Sequence, residues 1–209
     1  MILTVFGATG QVGLHLVQQG LIKGHQVRAF GRNVHTIPFE DDNLTRIKGT
    51  VFDEGEVLAA IEGADAVLSV LGGSFDGLDK TRSLGIKTIV GQMRKAGIMR
   101  IIALGGLGIL DAPDGGLLID EKNYPEEYLP VGKEHQKAWE TLRDSGLDWT
   151  FICSPNIINA DPTGDYITSV NVPPQPNNFR INSGDLALCI LEAVEKHEFS
   201  QQRVGISAL

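Results

Sequence analysis

The chain has 209 residues, of which 42% are hydrophobic, and it carries a formal net charge of −8 at pH 7. A chain of this length buries about 70% of the surface that it exposes when unfolded, so it forms a stable domain without a disulfide or metal staple. The negative charge argues against nucleic acid or an anionic membrane as a partner, and we expect no metal site.

Location and cysteine chemistry follow from two further features. The sequence has no stretch of ~20 apolar residues and does not begin with a charged segment before an apolar one. We therefore expect no membrane span, no signal peptide and, by default, a cytoplasmic protein. Cys153 and Cys189 both lie in apolar runs, which predicts two buried thiols rather than a disulfide.

Strand-like and helix-like segments alternate over the first three quarters of the chain. Apolar runs predict six strands, at Ile2–Phe6, Gln26–Phe30, Thr45–Lys48, Ala66–Val70, Arg100–Leu104 and Trp149–Cys153. Helical spacing predicts four helices, at Gln11–Ile22, Gly55–Ile61, Lys80–Ala96 and Gly132–Ser145. This alternation indicates an α/β fold of the Rossmann type, a doubly wound parallel sheet with helices on both faces.

The last quarter of the chain predicts a small C-terminal extension on the substrate side of a single domain, residues 1–209. It contains strands at Tyr166–Val170 and Phe179–Ile181, a helix from Ser183 to Glu195, and a final strand at Arg203–Ser207. Ser183 is well placed to be the N-cap of that helix, since serine is favoured there.

A glycine-rich turn connects the first strand to the first helix. Gly7 allows a tight turn, Gly10 lets a pyrophosphate approach the backbone, and Gly13 lets helix and strand pack closely. The helix N-terminus adds free N–H groups for the anion. The alternative is a glycine-rich turn without a ligand. We predict a dinucleotide site that includes Gly7, Thr9, Gly10, Gln11, Val12 and Gly13.

The residues after the second strand indicate which dinucleotide is bound. NAD enzymes carry an acid there for the ribose 2′-hydroxyl, but no acidic residue lies between Gly24 and Phe39. Arg32 stands at that point and is able to grip a 2′-phosphate through charge-assisted hydrogen bonds. We therefore expect NADP(H) to be preferred over NAD(H). The alternative is that Arg32 is a solvated surface residue.

Two segments interrupt the alternation. Residues 105–130 are rich in glycine, proline and acids, and such a long loop is usually functional or disordered. Because it follows a strand whose end faces the cofactor, we interpret it as a loop that covers the substrate, with a partner-binding surface as the alternative. Residues 154–182, which include Pro173, Pro174 and Pro176, are the second predicted substrate-side segment.

Several motifs together resemble one family. They are Gly-Ala-Thr-Gly-Gln-Val-Gly at residues 7–13, Gly31-Arg32, Gly49-Thr50-Val51-Phe52-Asp53, Gly63-Ala64-Asp65-Ala66-Val67, Ala96-Gly97-Ile98-Met99-Arg100-Ile101-Ile102 and Ser145-Gly146-Leu147-Asp148-Trp149-Thr150. In this order they resemble the atypical short-chain dehydrogenase/reductases that include NmrA-like proteins and biliverdin-IX-beta reductase (flavin reductase). The resemblance spans about residues 1–195.

The resemblance implies further contacts with the cofactor at its adenosine end. Phe52 and Asp53 are expected to flank the adenine, although Asp53 is also suited to be a helix N-cap. Leu71, Gly72 and Gly73 are expected to pass under the adenosine ribose and the pyrophosphate.

The resemblance also implies contacts at the nicotinamide end. Lys133 matches a lysine that many members keep near the nicotinamide ribose, and His135 is similar in position to a histidine of the flavin and biliverdin reductases. The alternative for His135 is a solvated helix residue. Residues expected near the nicotinamide are Cys153, Ser154, Pro155 and Asn156. No residue is assigned as catalytic, and the candidates are Lys133, His135 and Ser154.

The Ser-Tyr-Lys triad of related dehydrogenases has no match in this chain. Gly105 and Gly106 stand at the serine position, and Tyr128 precedes Lys133 by five residues, not four, with Pro130 between them. The helical stacking of Tyr128 on Lys133 is therefore not expected. We expect the two glycines to leave floor space for a large planar acceptor.

Together these features favour an NADPH-dependent reductase that transfers hydride directly to a planar conjugated acceptor such as a flavin, a quinone or a tetrapyrrole. Such an acceptor is an electron sink and makes fewer demands on a protein acid than a carbonyl does. The alternative is a non-catalytic NADP(H)-binding redox sensor of the NmrA type that acts through a protein partner. Either a monomer or a homodimer is compatible with the sequence.

Overall fold

The apolar runs form the strands of an eight-stranded sheet in the computed structural model, which describes all 209 residues. Its order is β3-β2-β1-β4-β5-β6-β10-β8, and all neighbours are parallel except β8, which is antiparallel to β10. β7 and β9 form a separate parallel pair. The strands are β1 (Ile2–Phe6), β2 (Gln26–Gly31), β3 (Leu44–Lys48), β4 (Ala66–Ser69), β5 (Arg100–Gly106), β6 (Asp148–Ser154), β7 (Asn156–Ile158), β8 (Tyr166–Val170), β9 (Arg180–Asn182) and β10 (Gln202–Ala208).

Helices cover both faces of the sheet, as predicted. Residues of α1 and α5 build one hydrophobic core with the sheet, and residues of α2, α3 and α4 build the other. No helix is both long and apolar enough to cross a bilayer. The helices are α1 (Gln11–Ile22), α2 (Glu54–Ile61), α3 (Thr81–Ala96), α4 (Leu129–Arg143) and α5 (Ser183–Glu195).

Burial on both faces explains why the central strands are continuous apolar runs and do not alternate with polar residues. In β1, Leu3 and Val5 belong to the core under α1 and α5, while Phe6 belongs to the core under the other three helices. The doubly wound fold predicted from the sequence is therefore confirmed.

Several boundaries differ from the prediction. α4 begins at Leu129, not at Gly132, because Pro130 occupies the first turn, where a missing N–H costs nothing. Strand β7 was not predicted. The N-cap of α5 is Asn182, so the prediction for Ser183 is wrong: its hydroxyl instead donates to the carbonyl of Ala160, 3.2 Å away.

Both interrupting segments contain more structure than their sequences suggest. Residues 105 and 106 complete β5, and three short 3-10 turns lie at Leu107–Ile109, Leu118–Asp120 and Glu126–Tyr128. In the segment 154–182, β8 joins the main sheet as its edge strand, so only part of this segment faces the cavity described below.

The strand order places a binding site. The chain runs from β1 outward to β2 and β3, then crosses back to β4 on the other side of β1. At such a switch point the loops after the two central strands separate and leave a crevice at the carboxyl ends of the strands. The loops after β1 and β4 therefore frame the candidate site.

Candidate functional site

A cavity of about 1080 Å³ runs along the carboxyl ends of the strands. It begins at Arg32 after β2, passes the glycine turn after β1, and ends among residues of the two interrupting segments. Of the residues predicted to bind the cofactor, the cavity is lined by Gly7, Thr9, Gly10, Gln11, Val12, Arg32, Phe52, Leu71, Gly72, Gly73, Ser154, Pro155 and Asn156.

The glycine turn has the geometry of an anion cradle. Gly7 has a φ of +83°, and a side chain there would collide with the carbonyl of Val70. Its own carbonyl accepts from the N–H of Gly10 at 3.1 Å, which closes the turn. The N–H groups of Gln11 and Val12 have no acceptor within the protein, since α1 begins at Gln11. These two groups are available to an anion.

Gly13 serves packing and does not line the cavity. A Cβ at this position would overlap the carbonyl oxygen of Gly7 and the backbone of Ala8. The first turn of α1 therefore rests directly on the glycine turn, which is the close approach that the sequence predicted for Gly13. Gly10 differs, since a Cβ there would meet only the Gly7 oxygen, at 3.4 Å.

The end of the cavity next to β2, where the sequence predicts the adenosine, offers a free cation. Arg32 is exposed, lines the cavity, and makes no hydrogen bond or ion pair within the protein. Phe52 also lines the cavity and is exposed. Asp53 does not line it: its carboxylate accepts from the N–H of Glu56 at 2.9 Å and caps α2. Of the two roles considered for Asp53, the structure shows the helix cap.

The polar end of β6 reaches the opposite end of the cavity, but Cys153 does not. Its side chain belongs to the core under α2, α3 and α4, and its Sγ lies 3.6 Å from the carbonyl oxygen of Phe151. Burial raises the pKa of this thiol. The expectation that Cys153 lies near the nicotinamide is therefore wrong. Both cysteines are buried and free, as predicted.

The two glycines at the end of β5 do not leave the floor space expected from the sequence. A Cβ on Gly105 would overlap the ring of Phe151. A Cβ on Gly106 would lie 3.0 Å from Cδ2 of His135. Gly105 therefore requires glycine, and at Gly106 a side chain would fit only if the His135 ring moved.

His135 is half-buried on α4 and lines the cavity, so the alternative of a solvated helix residue is wrong. Its Nδ1 is buried without a hydrogen-bond partner. Burial, followed by the nearby charge of Arg82, lowers the pKa of His135 to about 3. The imidazole is therefore neutral at physiological pH, and it offers a ligand hydrogen-bonding groups without a charge.

A pH titration tests this environment. Because the folded state lowers the pKa of His135 from 6.5 to about 3, its neutral form stabilises the fold above pH 6.5, and this contribution is lost as the pH falls toward 3. As the pH falls from 6.5 toward 3, we expect the free energy of unfolding to decrease less in His135→Gln than in the parent protein. Urea unfolding at a series of pH values measures the difference.

A matched control is His35→Gln, since His35 is exposed. The pH dependence of its free energy of unfolding should follow that of the parent protein. Parallel curves for the parent protein and His135→Gln would show that His135 titrates normally.

Of Tyr128 and Lys133, only Tyr128 lines the cavity. Tyr128 precedes α4 and lines the cavity, with 48% of its surface exposed. Lys133 does not line the cavity: its ammonium lies 3.4 Å from Oε1 of Gln136 and 4.0 Å from Asp120. The structure therefore does not place Lys133 in the cavity wall, where the resemblance led us to expect it.

Sequence reasoning missed several residues of the cavity wall. Arg82 is buried and lines the cavity, and its guanidinium donates to the carbonyls of Gly73 and Ser74 at 3.0 and 3.1 Å. Tyr124 lies beside Gly108, where a Cβ would be 2.6 Å from its hydroxyl oxygen. Arg82 carries no local sequence signal, since the fold alone brings it to the site. The predicted substrate-side segments 105–130 and 154–182 do contain lining residues to which the sequence assigned no contact, among them Tyr124, Pro173, Gln175, Asn177 and Phe179. Phe75 lies outside both segments and also lines the cavity.

Comparison with known proteins agrees with this geometry. A family model described as NAD(P)H-binding matches residues 7–197. The uncharacterised protein YwnB of Bacillus subtilis is 24% identical over 213 residues, covering 97% of this chain and 96% of YwnB.

Two solved structures are similar over their whole length. A candidate NADH-flavin reductase of Streptococcus pneumoniae has a TM-score of 0.86 and 26% identity, covering 100% of both chains. A candidate epimerase of Bacteroides thetaiotaomicron has a TM-score of 0.87 and 28% identity, covering 100% of this chain and 97% of that one. With the cradle and the strand order, these findings confirm the resemblance seen in the sequence: the chain belongs to the NAD(P)H-binding family and fits the atypical short-chain dehydrogenase/reductases that include NmrA-like proteins.

Proposed function

We propose that the protein is an NADPH-dependent reductase that delivers hydride directly to a planar conjugated acceptor, without a Ser-Tyr-Lys triad. One observation carries this proposal: the anion cradle and an aromatic-lined end belong to the same cavity. Its volume of about 1080 Å³ is above the upper end of the range of about 300–1,000 Å³ typical of a single ligand. This size supports a dinucleotide with a second, flat ligand at its nicotinamide end as the proposed contents of the cavity.

The residues after β1 fit a pyrophosphate. The space beside Gly10 is open, and the unpaired N–H groups of Gln11 and Val12 border it. No carboxylate lines this part of the cavity, so no negative charge of the protein repels the anion there. Gly72, after β4, has no heavy atom within 4 Å of a Cβ position, so the opposite wall also leaves room.

Arg32 supports NADPH as the preferred form. Its guanidinium is unpaired and has no competing carboxylate among the lining residues around it. A guanidinium and a phosphate are complementary in charge and can form two parallel hydrogen bonds. The 2′-hydroxyl of NADH has no charge and cannot form this pair of bonds.

The protein's contribution to the reaction is placement. The reduced nicotinamide supplies a hydride, which carries two electrons and one proton, and a proton from water completes the reduction of the acceptor. Ser154 and Asn156 provide polar groups at this end of the cavity, and the hydroxyl of Ser154 donates to the carbonyl of Gly105 at 3.2 Å. His135, neutral at physiological pH, borders the acceptor space without placing a charge in it.

Replacing Tyr128 by phenylalanine tests whether a protein acid is needed. We expect turnover to stay within about threefold of the parent protein, because a conjugated acceptor needs no phenol to protonate it in the hydride step. Tyr124→Phe is the second variant, since Tyr124 is the other phenol in the cavity and burial raises its pKa. A loss of ~100-fold in either variant would return a general acid to the mechanism.

The proposal itself is tested by following NADPH oxidation under anaerobic conditions with riboflavin or a neutral naphthoquinone as acceptor. Steady oxidation that depends on both protein and acceptor is the expected result. Tight NADPH binding without oxidation of NADPH by any acceptor would instead favour the redox sensor, and the search would then move to protein partners.

A further inference from the structure

The acceptor end of the cavity has an unusual distribution of charge. Only three charged side chains line the whole cavity: Arg32, Arg82 and Glu121. Arg32 lies at the adenosine end, and the guanidinium of Arg82 is already bound to the carbonyls of Gly73 and Ser74. The acceptor end therefore holds one carboxylate and no free cation.

The surrounding surface adds negative charge. The segment between β5 and α4 carries a single lysine, Lys122, against six carboxylates: Asp111, Asp114, Asp120, Glu121, Glu126 and Glu127. Asp111 is paired with Arg203 at 2.7 Å, and Asp120 lies 4.0 Å from the ammonium of Lys133. The four remaining carboxylates outnumber Lys122, so the rim is net negative. An anionic group on the acceptor would meet repulsion here, and no residue that lines this end of the cavity offers it a free cation.

Aromatic side chains replace charge at this end. Phe75, Tyr124, Tyr128 and Phe179 all line the cavity. Phe75 and Phe179 are each 64% exposed, although large apolar side chains normally bury most of their surface. Exposed rings beside a cavity are suited to cover a flat ligand.

Phe179 is held in a strained backbone conformation. Its φ is +53°, in the left-handed region that a bulky side chain rarely adopts. Its N–H donates to Oδ1 of Asn177 at 2.9 Å, and its carbonyl accepts from the N–H of Asn156 at 3.2 Å. Both asparagines line the cavity, so the contacts that fix the ring belong to the site. Strain of this kind persists where the surroundings impose it and often serves function.

From these observations we infer that the acceptor is an uncharged planar ring compound and that Phe179 is the residue on which it stacks. The inference rests on the proposed function and deepens it. Neutral quinones and riboflavin fit this site, whereas FMN, with its phosphate, and tetrapyrroles that carry carboxylates do not.

Riboflavin and FMN test the inference directly, because they share one ring system and differ by a phosphate. The binding of each is measured by flavin fluorescence in the presence of saturating NADP⁺, so that nothing is consumed. We expect riboflavin to bind about tenfold more tightly. Raising the salt concentration should lower the ratio of riboflavin to FMN affinity. Screening of the rim charges strengthens the binding of FMN and leaves that of riboflavin unchanged. Equal affinities, tighter binding of FMN, or binding of neither flavin would overturn the inference.

Substitution of Phe179 tests the stacking. Asparagine tolerates a positive φ, so Phe179→Asn should leave the melting temperature unchanged or higher while riboflavin binding weakens about fivefold or more. Phe179→Tyr should restore binding. If Phe179→Asn binds riboflavin as tightly as the parent protein, the ring is not the stacking surface.

A matched control uses Arg180, the exposed cation next to Phe179, which does not line the cavity. Arg180→Gln should leave the ratio of riboflavin to FMN affinity unchanged. A selective loss of FMN binding would reveal a phosphate site and overturn the inference. A failure of the proposed function looks different: NADPH would not be oxidised by any acceptor, whatever the ratio of flavin affinities.

Discussion

Replacing Gly10 by valine should abolish nucleotide binding while the protein stays folded. The space beside Gly10 is open, and a Cβ there would meet only the carbonyl oxygen of Gly7, at 3.4 Å. Branched side-chain atoms would fill the place of the pyrophosphate and cover the free N–H groups of Gln11 and Val12. A loss of at least about 100-fold in affinity for both NADPH and NADH is expected, which corresponds to about 2.8 kcal/mol. Calorimetric titration measures it.

Two further substitutions separate binding from folding. Gly91 lies in α3 with no heavy atom within 4 Å of its Cβ position, so Gly91→Ala should leave nucleotide affinity unchanged and stabilise the helix. Gly13→Ala should instead lower the melting temperature, because its Cβ would overlap Gly7. Unchanged NADPH affinity in Gly10→Val would show that the cradle does not hold the pyrophosphate.

Replacing Arg32 by alanine should remove the preference for NADPH, so that NADPH and NADH bind with similar affinity. Each charge-assisted hydrogen bond contributes about 1.5–3 kcal/mol, so the loss of two weakens NADPH by roughly 100-fold or more. NADH affinity should change by less than about threefold, since Arg32 has no partner within the protein whose loss would disturb the fold.

The control for Arg32 is Lys48→Ala, which removes the same charge from the end of β3 without touching the cavity. This variant should lower the affinity for NADPH only slightly, through the loss of a distant positive charge. Equal losses of NADPH and NADH affinity in Arg32→Ala would show that Arg32 does not bind the 2′-phosphate.

Local sequence signals predicted where the glycine turn and Arg32 lie in the fold. Strand, glycine turn and helix are consecutive in the chain, so their spacing alone predicts the positions of Gly7 and Gly13. The placement of Arg32 follows from counting to the end of the second strand. The structure brings all three residues to the predicted places, because the parallel sheet aligns the carboxyl ends of β1 and β2.

The acceptor end was predicted less well because it is assembled from distant segments. Cys153 is the last residue of a predicted strand, but the alternation of side chains along β6 directs it into the core. In the sequence, Gly105 and Gly106 suggested open space above the end of β5. In the fold, the side chains of Phe151 and His135 occupy that space. The position of Phe179 depends on long-range pairing of β7 with β9, and β7 carries no independent sequence signal.

Direct hydride transfer without a protein acid is the central claim, and isotope effects on anaerobic NADPH oxidation test it most directly. NADPH deuterated at nicotinamide C4 should slow the reduction of riboflavin or a neutral naphthoquinone, while D₂O should change the rate little. A rate that D₂O slows and the label leaves unchanged would place a proton transfer, and not the hydride transfer, in the rate-limiting step. Complete absence of oxidation, with NADPH bound, would contradict a reductase.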